Sequence, residues 1–206
     1  MFYVEKLNAI FAKVMANAPK GDIGVAVSGG GDSLALLYLS VDWALRNNRN
    51  LKAATIDHKL RSESTSECEY VKKISTRLSI EHTTLTWVGR PSGNIQNLAR
   101  DARHKLLTNW ATDKNLSVVL LGHTLEDNAE TIIIRLIRGS GVDGLAGMSQ
   151  YININNLGIF RPLLQVKRDE LRHYLTEKNI AWIDDPSNFD ERFQRVKVRK
   201  LMPQLA

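Results

Sequence analysis

Along the first 150 positions, apolar residues follow two alternating rhythms. Ile23 to Val27, Leu51 to Ile56 and Ser117 to Leu121 are short, nearly continuous apolar runs and read as buried strands. His82 to Trp87, rich in threonine, reads as a strand third in chain order. Between these runs the spacing turns helical. Asp32 to Arg46 carries Leu34, Leu37, Tyr38, Val41 and Leu45, and Asn94 to Lys114 carries Leu98, Ala102, Leu106 and Trp110. Ser64, with Glu67 three positions on, predicts a capped helix running to about Leu78. Leu125 to Arg138 reads as a helix stopped by Gly139-Ser140-Gly141. Strand–helix alternation of this kind predicts an α/β fold. Its centre is a doubly wound parallel sheet of about five strands, with helices on both faces. Ligands of such sheets bind at the carboxyl ends of the strands.

The flanks differ. Val4, Leu7, Ile10, Phe11 and Val14 recur at helical spacing, while Glu5, Lys6 and Lys13 break any signal-peptide core, so the start reads as an amphipathic helix. After Met148 the pattern loosens. Tyr151 to Phe160 predicts a hairpin or an irregular strand, and Lys167 to Lys178 a helix with Leu171, Tyr174 and Leu175. Asp184 to Asn188 is turn chemistry, and Phe193 to Leu205 begins another helical segment. This change in pattern divides the chain into a core, residues 1–150, and a C-terminal part, residues 151–206.

Composition narrows the class. The 206 residues are 43% hydrophobic and 24% charged, an ordinary globular balance. No apolar run approaches the roughly 20 residues that span a bilayer, so no membrane partner is expected. The one cysteine, Cys68, excludes an internal disulfide and any all-cysteine zinc or iron–sulfur site. A reducing compartment, the cytoplasm, is the simplest reading. The net charge of +6 is compatible with a nucleic-acid partner. Arg192, Arg195, Lys197, Arg199 and Lys200 fall within nine residues, and form either a solvated helix face or a polyanion contact.

The richest chemistry follows the first strand. Ser28-Gly29-Gly30-Gly31-Asp32-Ser33 lies between a strand and a helix. Glycines let backbone N–H groups approach an anion, and the helix start adds unpaired donors and a positive dipole end. The loop lacks the Gly-Lys-Ser/Thr ending of a Walker loop and the Gly-x-Gly-x-x-Gly spacing of a dinucleotide fold. A carboxylate facing phosphates is unfavourable unless a cation lies between them, so Asp32 implies Mg²⁺ or a positively charged co-substrate. Asp127 and Glu130, three apart on a helix, share a face. They are either solvated or, with Asp32, an acidic pocket.

The Ser-Gly-Gly-x-Asp-Ser signature resembles that of the PP-loop ATP pyrophosphatases, a family with an adenine nucleotide alpha hydrolase-like fold. Three further clusters narrow the resemblance. They are Asp57-His58-Lys59-Leu60-Arg61, the stretch from Gly122-His123 through Asp127 and Glu130 to Gly144-Leu145, and Asp185-Pro186-Ser187-Asn188 followed by Arg195 and Arg199. With Ala99-Arg100-x-x-Arg103 they are similar to the tRNA(Ile)-lysidine synthetases, from about Gly21 to Leu205. The resemblance implies a ligase that uses ATP to adenylate carbon 2 of the wobble cytidine in tRNA(Ile) with a CAU anticodon. L-lysine is then joined to that carbon, with AMP and pyrophosphate released.

It also implies roles. Asp32, Asp127, Glu130 and Arg199 would be catalytic, with Mg²⁺ on Asp32 and Asp127. Ala26, Ser28, Gly29, Gly30, Gly31, Asp32, Ser33, Asp57, His58, Gly122 and His123 would surround ATP. Arg100, Arg103, Arg138 and Arg195 would clamp phosphate or tRNA, or else make surface ion pairs; His58 and His123 would line the nucleotide or sit as polar core residues. The sequence departs from the family at Glu126 (Asp expected), Gln96 (Glu) and Val196 (Asn). The family also carries further tRNA-recognition domains, so the chain is expected to be a catalytic domain leading into them. Rival readings are another PP-loop tRNA-modifying enzyme such as a base thiolase, an amidotransferase-type synthetase, and a catalytically dead nucleotide-binding module. The first two commonly need cysteines that one helical Cys68 does not supply.

Overall fold

The computed structural model describes residues 2–59, 64–88, 95–154, 156–184 and 194–202. Helix α1 (Phe2–Met15) leads into β1 (Asp22–Ala26), α2 (Gly31–Arg46), β2 (Leu51–Asp57), α3 (Ser64–Arg77), β3 (Glu81–Thr86), α4 (Ile95–Asp113) and β4 (Leu116–Leu120). Then come α5 (Leu125–Ile137), the single turn α6 (Val142–Leu145), β5 (Tyr151–Ile154), β6 (Leu157–Phe160), α7 (Arg168–Glu177) and α8 (Gln194–Leu201). The strands form one sheet in the order β3-β2-β1-β4-β6-β5. Five run parallel, as the alternation predicts, and the expected hairpin adds β5 as an antiparallel edge.

The two faces of the sheet are covered differently because side chains alternate along each strand. Ile23, Val25, Val118, Leu120 and Phe160 face a core built with α1, α2, α3 and α7. Val119, Ile159 and Ala54 face the opposite way, onto Leu107, Trp110 and Ala111 of α4. Gly24 lies on the α4 side of β1. A Cβ there would stand 2.7 Å from the Trp110 ring and 2.8 Å from Leu116 Cδ1, so the indole can lie on the strand only because position 24 is bare. Gly24→Ala is therefore expected to destabilise the fold by about 1–3 kcal/mol through overpacking. Urea denaturation checks this, and Trp110→Leu in the same chain should recover part of the loss.

Three predicted stripes shift. In α4 the buried set is Leu107, Trp110 and Ala111, while Leu98 is exposed. A stripe read every four residues drifts by about 40° per step on a helix of 3.6 residues per turn, so Leu98 and Leu106 walk off the face that Trp110 occupies. Leu45 at the end of α2 faces water, and Trp43 and Ala44 take the contact instead. In α1 the buried line is Leu7, Phe11 and Met15, and Ile10 lies outside it. Among the described residues no helix is long and apolar enough to cross a membrane.

The chain goes outward from β1 to β2 and β3, then returns across it to β4. The carboxyl ends of β1 and β4 are therefore where the strand order reverses, the crevice in which open α/β sheets hold ligands.

Candidate active site

The Ser28–Ser33 loop fills that crevice and is held by its own hydroxyls. Ser33 Oγ donates to the Gly30 carbonyl at 2.9 Å and accepts from the Ser28 N–H at 3.1 Å. The two hydroxyl oxygens of Ser28 and Ser33 are 3.1 Å apart. Gly29 has φ +90°, a left-handed conformation that favours glycine. Gly30 N-caps α2 with its backbone, so the loop runs directly into the positive end of that helix. On its far side lies a segment that local sequence did not flag: the Ile183 N–H donates to the Gly29 carbonyl at 3.0 Å. The Tyr70 hydroxyl holds the same segment by donating to the Ala181 carbonyl at 2.7 Å. Gly122, after β4, touches the loop from the sheet side. A Cβ there would lie 3.2 Å from the Asp32 carbonyl oxygen.

Two more helix starts meet α2 at this point. Glu126, in the first turn of α5, accepts the Arg168 N–H at the first residue of α7, with both carboxylate oxygens at 3.0–3.1 Å. The Arg168 side chain then reaches back into the site. Its Nε donates to Asp32 Oδ2 at 3.0 Å and its Nη2 to Asp127 Oδ1 at 3.2 Å. One guanidinium thus ties the carboxylates of α2 and α5 together. Asp127 is doubly employed, because it also closes a capping box by accepting the Thr124 N–H at 2.9 Å. Burial works against its charge, yet Arg195, the Thr124 N–H and Arg168 hold its carboxyl below the usual range. Asp32 goes the other way: burial outweighs Arg168 and raises its pKa.

Glu130 is fully buried and clasped by α8. It accepts Arg195 Nε at 2.6 Å and Arg199 Nε at 2.7 Å. Arg195 also reaches Asp127 Oδ1 at 3.2 Å, so α8 and α7 approach the same carboxylate from two sides. The pair Asp127 and Glu130 therefore forms a charged seam with three arginines and is not a solvated helix face. Arg138 lies apart, exposed and donating to Gln194 Oε1 at 2.8 Å. Arg103 lies on the exposed side of α4, near enough to His58 and His123 to depress their basicity. Leu60, Arg61, the side chains of Gln96 and Arg100, and Asp185 to Asn188 lie outside the described residues.

The neighbouring strand ends hold the remaining residues. Ala26 is the last residue of β1. Asp57, at the end of β2, organises its own loop, accepting Ser64 Oγ at 2.7 Å and the Lys59 N–H at 2.9 Å. These bonds lower its pKa against the pull of burial. His58 stands edge-on to Trp87 at 6.0 Å between centroids, and burial lowers its pKa. His123, after β4, accepts at Nδ1 from Arg161 Nε at 3.2 Å. Arg168, Arg161 and Ile183 are the site residues that the sequence pattern did not flag. Two had a usable signal. Arg168 puts a cation at a helix start, where the dipole favours acids, and Arg161 directly follows a wholly buried strand at its carboxyl end.

Among the described residues, no three acidic, histidine or cysteine groups gather as a self-sufficient metal cage. Asp32 and Asp127 fit a different cation habit, that of Mg²⁺, which takes one or two carboxylates and completes its shell with water and phosphate.

The sequence pattern of the PP-loop domain family matches residues 3–205. The chain is 44% identical over 201 residues to the tRNA(Ile)-lysidine synthase of Ruegeria pomeroyi, covering 97% of this chain and 48% of that protein. It is 46% identical over 187 residues to the enzyme of the same name from Rhodopseudomonas palustris, covering 89% and 54%. The chain thus spans about half the length of the curated relatives it matches. Among solved structures, it superposes on the U34-tRNA thiolase NcsA of Methanococcus maripaludis, with its [4Fe-4S] cluster, at a TM-score of 0.84. That match is 18% identical and covers 98% of this chain and 72% of the other. It also superposes on an NH3-dependent NAD synthetase of Campylobacter jejuni, with a TM-score of 0.57 and 15% identity over 99% and 87%. At these identities the two structures speak to the fold alone.

Proposed function

The chain belongs to the PP-loop domain family, and from that premise we propose that it is the catalytic part of a tRNA(Ile)-lysidine synthase, a ligase that spends ATP to join L-lysine to a tRNA cytidine. The observation that carries the reading is the junction of the Ser28–Ser33 loop with the Asp32–Arg168–Asp127 cluster at one strand crossover, on a chain 44% identical to an enzyme of that name. In the proposed reaction O2 of the wobble cytidine, in a CAU anticodon, attacks the α-phosphorus of ATP and pyrophosphate leaves. The ε-amine of lysine then attacks C2, loses a proton, and AMP departs.

The residues divide this work by charge. Loop N–H groups and the start of α2 take phosphate oxygens. Arg168 and Arg195 would take the charge developing on pyrophosphate, and a guanidinium suits such an oxyanion through its fork of donors. Asp32 supplies a buried carboxylate that Arg168 compensates in part. Mg²⁺, held by Asp32 and Asp127 together with phosphate, would neutralise charge on the leaving group. The ammonium of lysine is the second cation that the acidic cluster suits. Glu130 anchors Arg195 and Arg199, while Ala26, Asp57, His58, Gly122 and His123 wall the nucleotide. Arg100, Arg103 and Arg138 are assigned to phosphate or tRNA backbone. Residues 1–150 carry the phosphate loop and the acidic cluster, and 151–206, which add β6 to the sheet and α7 to the core, are the C-terminal part of the same catalytic domain. A soluble, cytoplasmic setting goes with this activity.

The thiolase reading has weaker support. The structural neighbour of that class carries a [4Fe-4S] cluster, which thiolates hold. These 206 residues contain one cysteine, buried and with its thiol pushed up to about 11. The test is AMP formation from ATP with tRNA(Ile) transcript and labelled lysine. Label is expected to enter the tRNA with AMP in equal amounts. AMP release that is indifferent to lysine would overturn the assignment.

A further inference from the structure

Arg161 is a buried arginine at the exit of β6, only 9% exposed. Its backbone N–H donates to the Gln150 carbonyl at 2.8 Å and its Nη1 to the Ser149 carbonyl at 2.8 Å. Held at both ends, the side chain presents Nε to His123 Nδ1 at 3.2 Å. A guanidinium has donors and no acceptor. The nitrogen it addresses must therefore offer a lone pair, and the ring proton must sit on the other nitrogen. We infer that Arg161 is a positioning residue that fixes His123 as the neutral tautomer protonated at Nε2, so that His123 serves the site as a hydrogen-bond donor and not as a base.

The surroundings act in the same direction. Arg161 beyond β6, Arg195 on α8 and Arg103 on α4 all oppose a positive imidazole, and Asp127 on α5 favours it. Burial adds the largest push, and together they hold the His123 pKa down to about 4. At neutral pH a donor of this kind can bond an anionic oxygen without gaining charge itself. Which oxygen it meets, a phosphate or a carboxylate of the substrates, rests on the proposed function. The tautomer does not.

The decisive measurement is long-range proton–nitrogen correlation on the full chain with ¹⁵N-labelled histidine. The protein has five histidines, and His123 is identified by the signal that vanishes in His123→Gln. The expected spectrum shows a protonated Nε2 and a bare Nδ1, unchanged from about pH 8 to about pH 5.5. A proton on Nδ1, or a midpoint near the ordinary histidine value, overturns the inference. Arg161→Gln keeps an amide donor but removes the charge, so the tautomer should persist while the midpoint moves up. Arg161→Met removes both and should give a mixture of tautomers. If either variant fails to fold, the wild-type spectrum still decides. An inactive chain with the expected spectrum would sink the proposed function and leave this assignment standing.

Discussion

Asp32→Asn is expected to lower AMP formation by about a thousandfold while leaving the melting temperature unchanged or slightly raised. Function and stability separate here because the carboxylate is badly placed for the fold alone. Burial outweighs Arg168 and lifts the Asp32 pKa above its unfolded value. A carboxyl raised in this way costs stability while ionised, and the cost fades as pH falls through its folded pKa. At neutral pH the asparagine variant is rid of that cost. Arg168 is not stranded by the change, since Asp127 still accepts its Nη2 and Glu126 its backbone N–H. Turnover should suffer because the loop then lacks the charge that, under the proposed function, would draw in Mg²⁺ or the lysine ammonium. Asp32→Ala should behave alike. A melt several degrees lower would make Asp32 a structural residue, and near-normal AMP formation would remove it from the chemistry.

The parts of the molecule that could be read from sequence are those set by neighbours along the chain. The loop from Ser28 to Ser33 declares its glycines, hydroxyls and following helix within six positions, and the strands declare themselves by continuous apolar runs. Alternation and the handedness of crossovers pointed to a doubly wound parallel sheet, and the order of its strands came from the structure. What could not be read is the pairing of charges across the crevice. Arg168 meets Asp32 from 136 positions away and Arg195 meets Glu130 from 65. No local pattern distinguishes Arg195 from Arg138, which bonds a glutamine at the surface, and Arg168 shows locally only as a cation at a helix start. The acidic helix start of α5 was equally ambiguous. Glu126 and Asp127 are ordinary first-turn acids by dipole logic. Only the arrival of α7 and α8 shows that Glu126 caps a neighbouring helix while Asp127 serves two arginines and a capping box.

The second large effect is expected at the α5–α8 seam, and its sign pattern is the informative part. Removing both arginines, as Arg195→Met with Arg199→Met, should cost about 3–5 kcal/mol, and Glu130→Gln distinctly less. The asymmetry comes from exposure. Glu130 has no exposed surface, whereas the Arg195 and Arg199 side chains keep 42% and 34% of theirs. Without Glu130, the guanidinium groups turn to water they already touch. Without the arginines, a carboxylate remains deep in the protein with its partners gone, while the methionine stems preserve the packing of α8 around Val196 and Val198. Urea denaturation of the two variants at one pH measures the difference. If α8 releases instead of the whole fold, the loss appears as faster hydrogen exchange along Gln194–Leu201. Equal costs for the carboxylate and the arginine variants would mean that Glu130 is stabilised by something other than the clasp of α8.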